Sequence, residues 1–200
     1  MNTIKRILAF VLVIAILSCS MISCGKDKYK YVEMTVEDYG TIILKIDMKN
    51  APITSKNFID LVESGFYNGL TFHRVIENFM IQGGDPNANG TGGSENKIKG
   101  EFSENGFNNP IKHERGVISM ARGGYSMDSA SSQFFICNAS NYSVSSLDGK
   151  YAAFGWVVEG MDVVDAITEE TGIYGDSNGT IYTKSLQAVI TEMKVIDYKE

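Results

Sequence analysis

Arg74 is the residue in this chain most in need of a chemical explanation. It stands inside a strand-forming apolar stretch, residues 72–85, reading FHRVIENFMIQGGD and ending in a glycine turn. A charge in such a setting requires a partner. Phe72, Val75, Ile76, Phe79, Met80 and Ile81 favour strands, and Glu77-Asn78 is a break short enough to join two antiparallel ones. If the connection is Glu77 to Phe79, Arg74 falls opposite Gln82 and Ile76 opposite Met80, on one face of the sheet. That register sets a fixed guanidinium beside an amide and a thioether or aromatic surface: a hydrogen-bonding cation over an apolar floor. The residues alone also allow a plainer role, an edge-strand arginine whose stem covers apolar surface while its head stays in water.

Other chemistries lack their parts. The two histidines, His73 and His113, are far apart in sequence and have no cysteine pairs nearby, so neither a metal site nor a cofactor is expected. Ser131 and Ser132 lie outside any GxSxG elbow and no histidine stands in a triad context, so hydrolase chemistry is not expected. The glycine-rich 90–94 stretch, GTGGS, has no lysine and hydroxyl pair after it, and neither a strand before nor a helix behind, as a phosphate loop would need. The net charge of −6 opposes nonspecific nucleic-acid binding, and nucleic acid is excluded as a partner. Asp47, Asp60 and Glu63 read as solvated surface charges, and Cys137, alone in a strand-like run, as a small buried hydrophobe.

With 200 residues, 44% hydrophobic and 21% charged, the chain suits one globular domain and a short appendage. Residues 1–23 have the layout of an export signal: Lys5 and Arg6, an apolar run over 7–17, then small residues and cysteine. The 21–24 stretch, MISC, resembles the lipobox of bacterial lipoproteins, which implies lipidation of Cys24 (Cys19 being the rival acceptor), a membrane anchor, and a tether over 24–30. The domain is expected over 31–198. Residues 31–36 and 41–46 alternate about a turn as a hairpin, and 52–64 carries proline at its start and an apolar stripe, predicting a helix that plugs one end of a sheet or barrel. Residues 85–100 read as a long surface loop. Strands are expected within 116–121, 132–137, 147–160 and 186–198, and a second helix over 161–169.

The motifs FHR at 72–74, FMIQGGD at 79–85 and GTGG at 90–93 resemble the central signature of the cyclophilin-type peptidyl-prolyl isomerases. GVISMA at 116–121, SQFFIC at 132–137 and LDGKYAAFGWVVEG at 147–160 match the same pattern, so the resemblance covers roughly 31–198. It implies a mainly β fold, a closed eight-stranded antiparallel barrel capped by two α-helices. Closure would also remove exposed strand edges. The implied activity is rotation about Xaa-Pro bonds, with proline-containing polypeptides as partners and monomeric action. By resemblance Arg74 is catalytic with Gln82 and Phe79, while Phe79, Met80, Phe135 and Leu147 form the proline pocket. Phe72, His73, Ala121, Arg122, Gln133 and Tyr151 complete the implied substrate-binding set, although His73 also reads as a satisfied histidine packed beside the site.

Three positions depart from the best-known eukaryotic members. Ser146 replaces a tryptophan, Tyr151 a histidine, and Arg122 an asparagine, the last adding positive charge to the substrate groove. Together with the export signal, the resemblance implies folding assistance outside the cytoplasm. A noncatalytic proline-peptide binding module or holdase on the same barrel is the alternative, and the two part at Arg74: a binder keeps its affinity without the guanidinium, an isomerase loses transition-state stabilisation.

Overall fold

The computed structural model describes residues 28–199, so the expected export signal and Cys24 lie outside the described residues. Eight strands make one antiparallel sheet: β1 (Tyr29–Val36), β2 (Gly40–Asp47), β3 (Phe72–Ile76), β4 (Met80–Gly83), β5 (Val117–Met120), β6 (Phe134–Cys137), β7 (Ala152–Glu159) and β8 (Ile190–Ile196). Their order is β3-β4-β6-β5-β7-β2-β1-β8. The expected first hairpin forms, with Thr35 opposite Thr41, and the second has the expected register, with Arg74 opposite Gln82 and Ile76 opposite Met80. Strand β1 begins at Tyr29, two residues ahead of the expected domain start.

The sheet curls into a half-barrel and does not close, contrary to the expected closed barrel. Edge strands β3 and β8 meet only end to end, through the single bridge Thr71 to Val189 and flanking bonds such as Phe72 N–H to the Ala188 carbonyl at 3.0 Å. The free edge of β3 is taken instead by a loop: Val75 N–H donates to the Gly179 carbonyl at 2.9 Å, and Ile181 N–H to the His73 carbonyl at 2.8 Å. The edge is thus covered by irregular chain, another way of removing unpaired backbone groups.

Helix α1 (Pro52–Glu63) starts on proline, and its first amides donate to the buried Glu101 carboxylate, from Ile53 at 3.0 Å and Thr54 at 2.7 Å. A distant carboxylate therefore does the work of an N-cap. Helix α2 (Tyr142–Ser145), a single turn absent from the sequence expectation, is capped by the Asn141 side chain. Helix α3 (Met161–Thr171) outlasts its predicted end by two residues. Phe58, Ile59 and Val62 of α1 and Val163, Val164 and Ile167 of α3 enter one core with Val32, Leu44, Phe134 and Phe154. Phe58 contacts Tyr67, Phe134 and Phe154 with ring centroids 5.0–5.7 Å apart. Among the described residues no helix is long and apolar enough to cross a membrane.

Asp47 corrects another expectation. It is fully buried, and its carboxylate accepts from the amides of Lys49 and Asn50 and from the Asn50 side chain, pinning the chain between β2 and α1. Asp60 and Glu63 are exposed as expected, paired with Lys56 and Lys30. Cys137 is buried, and burial pushes its thiol up to about 12.

Candidate active site

Strands β4 and β6 alternate about the sheet. Ile81, Phe134 and Ile136 point into the core, while Met80, Phe135 and Cys137 form a second apolar cluster on the other face with Val144 of α2, flanked by Phe79, Ala121, Leu147 and Tyr151. Strand β3 obeys this alternation only after an interruption. A bulge between Phe72 and Arg74 inserts His73 as the extra residue. Phe72 and Val75 can therefore enter the core while Arg74 and Ile76 face outward. Simple period-two reading puts Phe72 and Arg74 on one side, so the bulge has no signature in the alternation.

The outward cluster floors a cleft of about 420 Å³. Ten expected site residues line it: His73, Arg74, Phe79, Met80, Gln82, Ala121, Arg122, Phe135, Leu147 and Tyr151. Phe72 does not, being fully buried in the core, and Gln133 lines an adjoining polar cavity of about 300 Å³ that shares Gln82, Gly90, Ala121 and Arg122 with the first. Gly90 and Thr180 also line the cleft and were not anticipated. Gly90 belongs to the GTGG motif, but nothing in the sequence ties Thr180 to Arg74, whose bridge partner it is. Wider surface clefts of about 660 and 850 Å³ lie elsewhere, and no arginine lines either.

Arg74 is held at two points. Its Nε donates to the Asn178 carbonyl at 2.8 Å and its Nη1 to Gln82 Oε1 at 3.2 Å, with Met80 Sδ at 4.0 Å. No hydrogen bond among the described residues engages Nη2. Burial lowers the guanidinium from its ordinary value, while Tyr151 and Asp176 oppose that change. Gln82 is fixed in turn: its Nε2 donates to Gln133 Oε1 at 2.8 Å, and Gln133 Nε2 donates to the Gly92 carbonyl at 2.7 Å and the Gly90 carbonyl at 3.1 Å. The loop bearing those carbonyls is organised by Asp85, whose buried carboxylate accepts from the amides of Asn87, Asn89 and Gly90.

Several side chains around the cleft behave differently from expectation. His73 is fully buried, and neither ring nitrogen has a hydrogen-bonding partner among the described residues, so it is not a satisfied histidine. Burial lowers its pKa to about 4 against the opposing pull of Asp85. Arg122 reaches the groove already engaged: Nε donates to the Lys150 carbonyl at 2.9 Å, and the guanidinium carbon lies 5.0 Å from the Tyr151 ring and 5.3 Å from that of Phe102. Its charge braces the wall as well as facing the cleft. Ser119, His113 and Asp148, distant in sequence, come together in a hydrogen-bonded row, with His113 Nδ1 to Asp148 Oδ1 and Nε2 to Ser119 Oγ both at 2.9 Å. Ser119 is fully buried, and the His113 ring stacks on Phe135 at 6.0 Å, so the row supports the cleft floor and offers no accessible nucleophile. Burial holds His113 below its ordinary value, with Asp148 opposing.

What the arrangement provides is a half-buried cation with a free donor, lining a cleft with an apolar floor, and side chains held by hydrogen bonds from both sides. Fold and site together define a class: an antiparallel half-barrel whose outer face carries a guanidinium over an apolar cleft. Residues 31–195 match the family described as "Cyclophilin type peptidyl-prolyl cis-trans isomerase/CLD", and the chain belongs to the cyclophilin-type peptidyl-prolyl cis-trans isomerases. It is 41% identical over 176 residues to peptidyl-prolyl cis-trans isomerase A of Dickeya dadantii, covering 85% of this chain and 90% of that one. It is 45% identical over 132 residues to a peptidyl-prolyl cis-trans isomerase of Helicobacter pylori strain J99, covering 65% of this chain and 76% of the relative. Among solved structures it resembles a cyclophilin-type isomerase of Cryptosporidium parvum, at a TM-score of 0.72 and 27% identity over 86% of this chain and 99% of that one. That protein was also solved in the presence of the dipeptide Ala-Pro, a structure this chain matches at a TM-score of 0.71 and 27% identity, over 84% of this chain and 99% of that one. The activity is isomerisation of Xaa-Pro peptide bonds.

Proposed function

We propose that Arg74 catalyses this isomerisation, with Gln82 orienting it, and that the prolyl ring of a polypeptide substrate rests on Phe79, Met80, Phe135 and Leu147. The observation that carries the assignment is the two-point hold on Arg74, which leaves Nη2 uncommitted beside the apolar floor. Rotation about an Xaa-Pro bond breaks amide conjugation against a barrier of roughly 18–20 kcal/mol. As conjugation is lost the prolyl nitrogen becomes pyramidal and regains a lone pair, a hydrogen-bond acceptor that the planar amide lacks. A donor aimed at that nitrogen and the neighbouring carbonyl therefore binds the twisted state more strongly than either planar isomer. Ala121, Arg122 and Gln133 serve the flanking substrate backbone, and His73 and Tyr151 complete the wall.

The enzyme acts, in this reading, as a monomer outside the cytoplasm on exported polypeptides, assisting their folding while Cys24 carries a lipid anchor. The support is sequence pattern: the basic start, the apolar 7–17 run and the MISC stretch. Stable anchoring takes more than one acyl chain. Two measurements test the proposal. Addition of the full chain to an Ala-Pro peptide is expected to raise the cis-trans exchange rate seen by NMR, and a folded chain that binds the peptide without raising it would leave only a binding module. Cys24→Ala is expected to move the protein from the membrane to the aqueous fraction with its fold intact, and unchanged membrane retention would overturn the anchor.

A further inference from the structure

The hold on Arg74 has two halves of different origin. Gln82 is a side chain from the neighbouring strand, but the acceptor for Nε is a main-chain carbonyl, that of Asn178, about a hundred residues away in a five-residue turn. That turn is closed on itself: Asp176 N–H donates to the Thr180 carbonyl at 3.0 Å and Gly179 N–H to the Asp176 carbonyl at 2.8 Å. Inside it the Asp176 carboxylate accepts from the amides of Asn178 at 2.8 Å and Thr180 at 2.9 Å, and from the Tyr182 hydroxyl at 3.3 Å. Those bonds fix the peptide planes on either side of the Asn178 carbonyl. The turn is then docked on β3 through Val75 and Ile181, directly beside Arg74.

We propose that Asp176 is a positioning residue for the reaction, acting through the Asn178 carbonyl on Arg74; the proposal rests on the catalytic reading of Arg74. A free arginine side chain samples many rotamers, and a guanidinium must be planar to its target to donate well. One acceptor leaves the group free to swing, whereas acceptors at Nε and Nη1 together fix its plane before substrate arrives. Asp176 is exposed and does not line the cleft, so it reaches substrate only through Arg74, whose Nε this carbonyl holds and whose charged form the Asp176 carboxylate also favours. Its hydrogen bonds from Thr180 and Asn178 hold its own carboxyl below the ordinary range, so it is the ionised form that ties the turn.

The test is a double-mutant cycle on the full chain, with kcat, KM and the urea unfolding midpoint measured for Asp176→Ala, Asp176→Asn, Arg74→Ala and Arg74→Ala combined with Asp176→Ala. Asp176→Ala is expected to lower kcat about tenfold while KM changes less than about twofold. Asp176→Asn, whose amide oxygen can accept the same two amides, is expected to restore most of kcat. In the Arg74→Ala background the second substitution is expected to do nothing further. An equal fall in both backgrounds, no fall with Arg74 present, or an Asp176→Asn variant as slow as Asp176→Ala would overturn the positioning role alone. An Arg74→Ala enzyme with full kcat would overturn the catalytic reading, and this proposal with it.

Discussion

The two faces of strands β4 and β6 are built from the same kind of residue and do different work. Phe134 and Phe135 are adjacent, both aromatic, and 0% and 4% exposed. Phe134 packs edge-on against Phe58, Tyr67 and Phe72, rings supplied by α1, the segment after it and β3. Phe135 lies between the His113 ring and Tyr151, with the cleft above it. Burial alone does not separate a core ring from a cleft-lining one here. The distinction lies in what lies across from each ring, closed core or a cleft with an arginine at its edge.

The comparison is sharpest where deletion removes one ring at a time. Phe134→Ala should cost about 3–5 kcal/mol in a urea unfolding experiment, because a fully enclosed site leaves a cavity. Smaller, and dependent on pH, is the effect of His73 in the bulge that separates the two faces. Its pKa is depressed from 6.5 to about 4, so the unfolded chain takes up its proton first as the pH falls. The stability it contributes is complete above pH 6.5 and is lost progressively toward pH 4, by up to about 3 kcal/mol. Unfolding midpoints at pH 7 and pH 4.5 should therefore diverge more for the natural chain than for His73→Leu; equal divergence would show that His73 titrates as it does in the unfolded chain. Smallest in stability is Phe135→Ala, about 2 kcal/mol, since the space left opens on the cleft and only the transfer cost remains. The same change should raise KM for an Ala-Pro peptide about tenfold. A Phe135→Ala enzyme with normal KM and a Phe134-sized loss of stability would erase the contrast between the faces.

Most of the outer face was legible in the sequence because its residues cluster in contiguous motifs. The register of Arg74 against Gln82 followed from one short connection and strand alternation. What stayed hidden depends on contacts between distant segments. The bulge at His73 needs the core's demand for Phe72, the Ser119, His113 and Asp148 row spans segments with no common motif, and the Asn178 carbonyl belongs to the backbone, which carries no side-chain signature. The expected closure of the barrel failed for a related reason: the edge of β3 is covered by the loop that also grips Arg74. Asp47 departs from expectation because a short acidic side chain next to a turn carries no sequence mark of the three hydrogen bonds that let it be buried.

The most direct measurement is the effect of Arg74→Ala on three quantities in one sample series: the exchange rate of a saturating Ala-Pro peptide, the Kd for that peptide and the urea midpoint. The outer-face account predicts that the exchange rate falls by about a hundredfold or more, while Kd shifts less than about threefold and the midpoint hardly moves. A weakened Kd with the saturated rate intact would contradict it, placing Arg74 among the groups that hold the peptide and not among those that turn its bond.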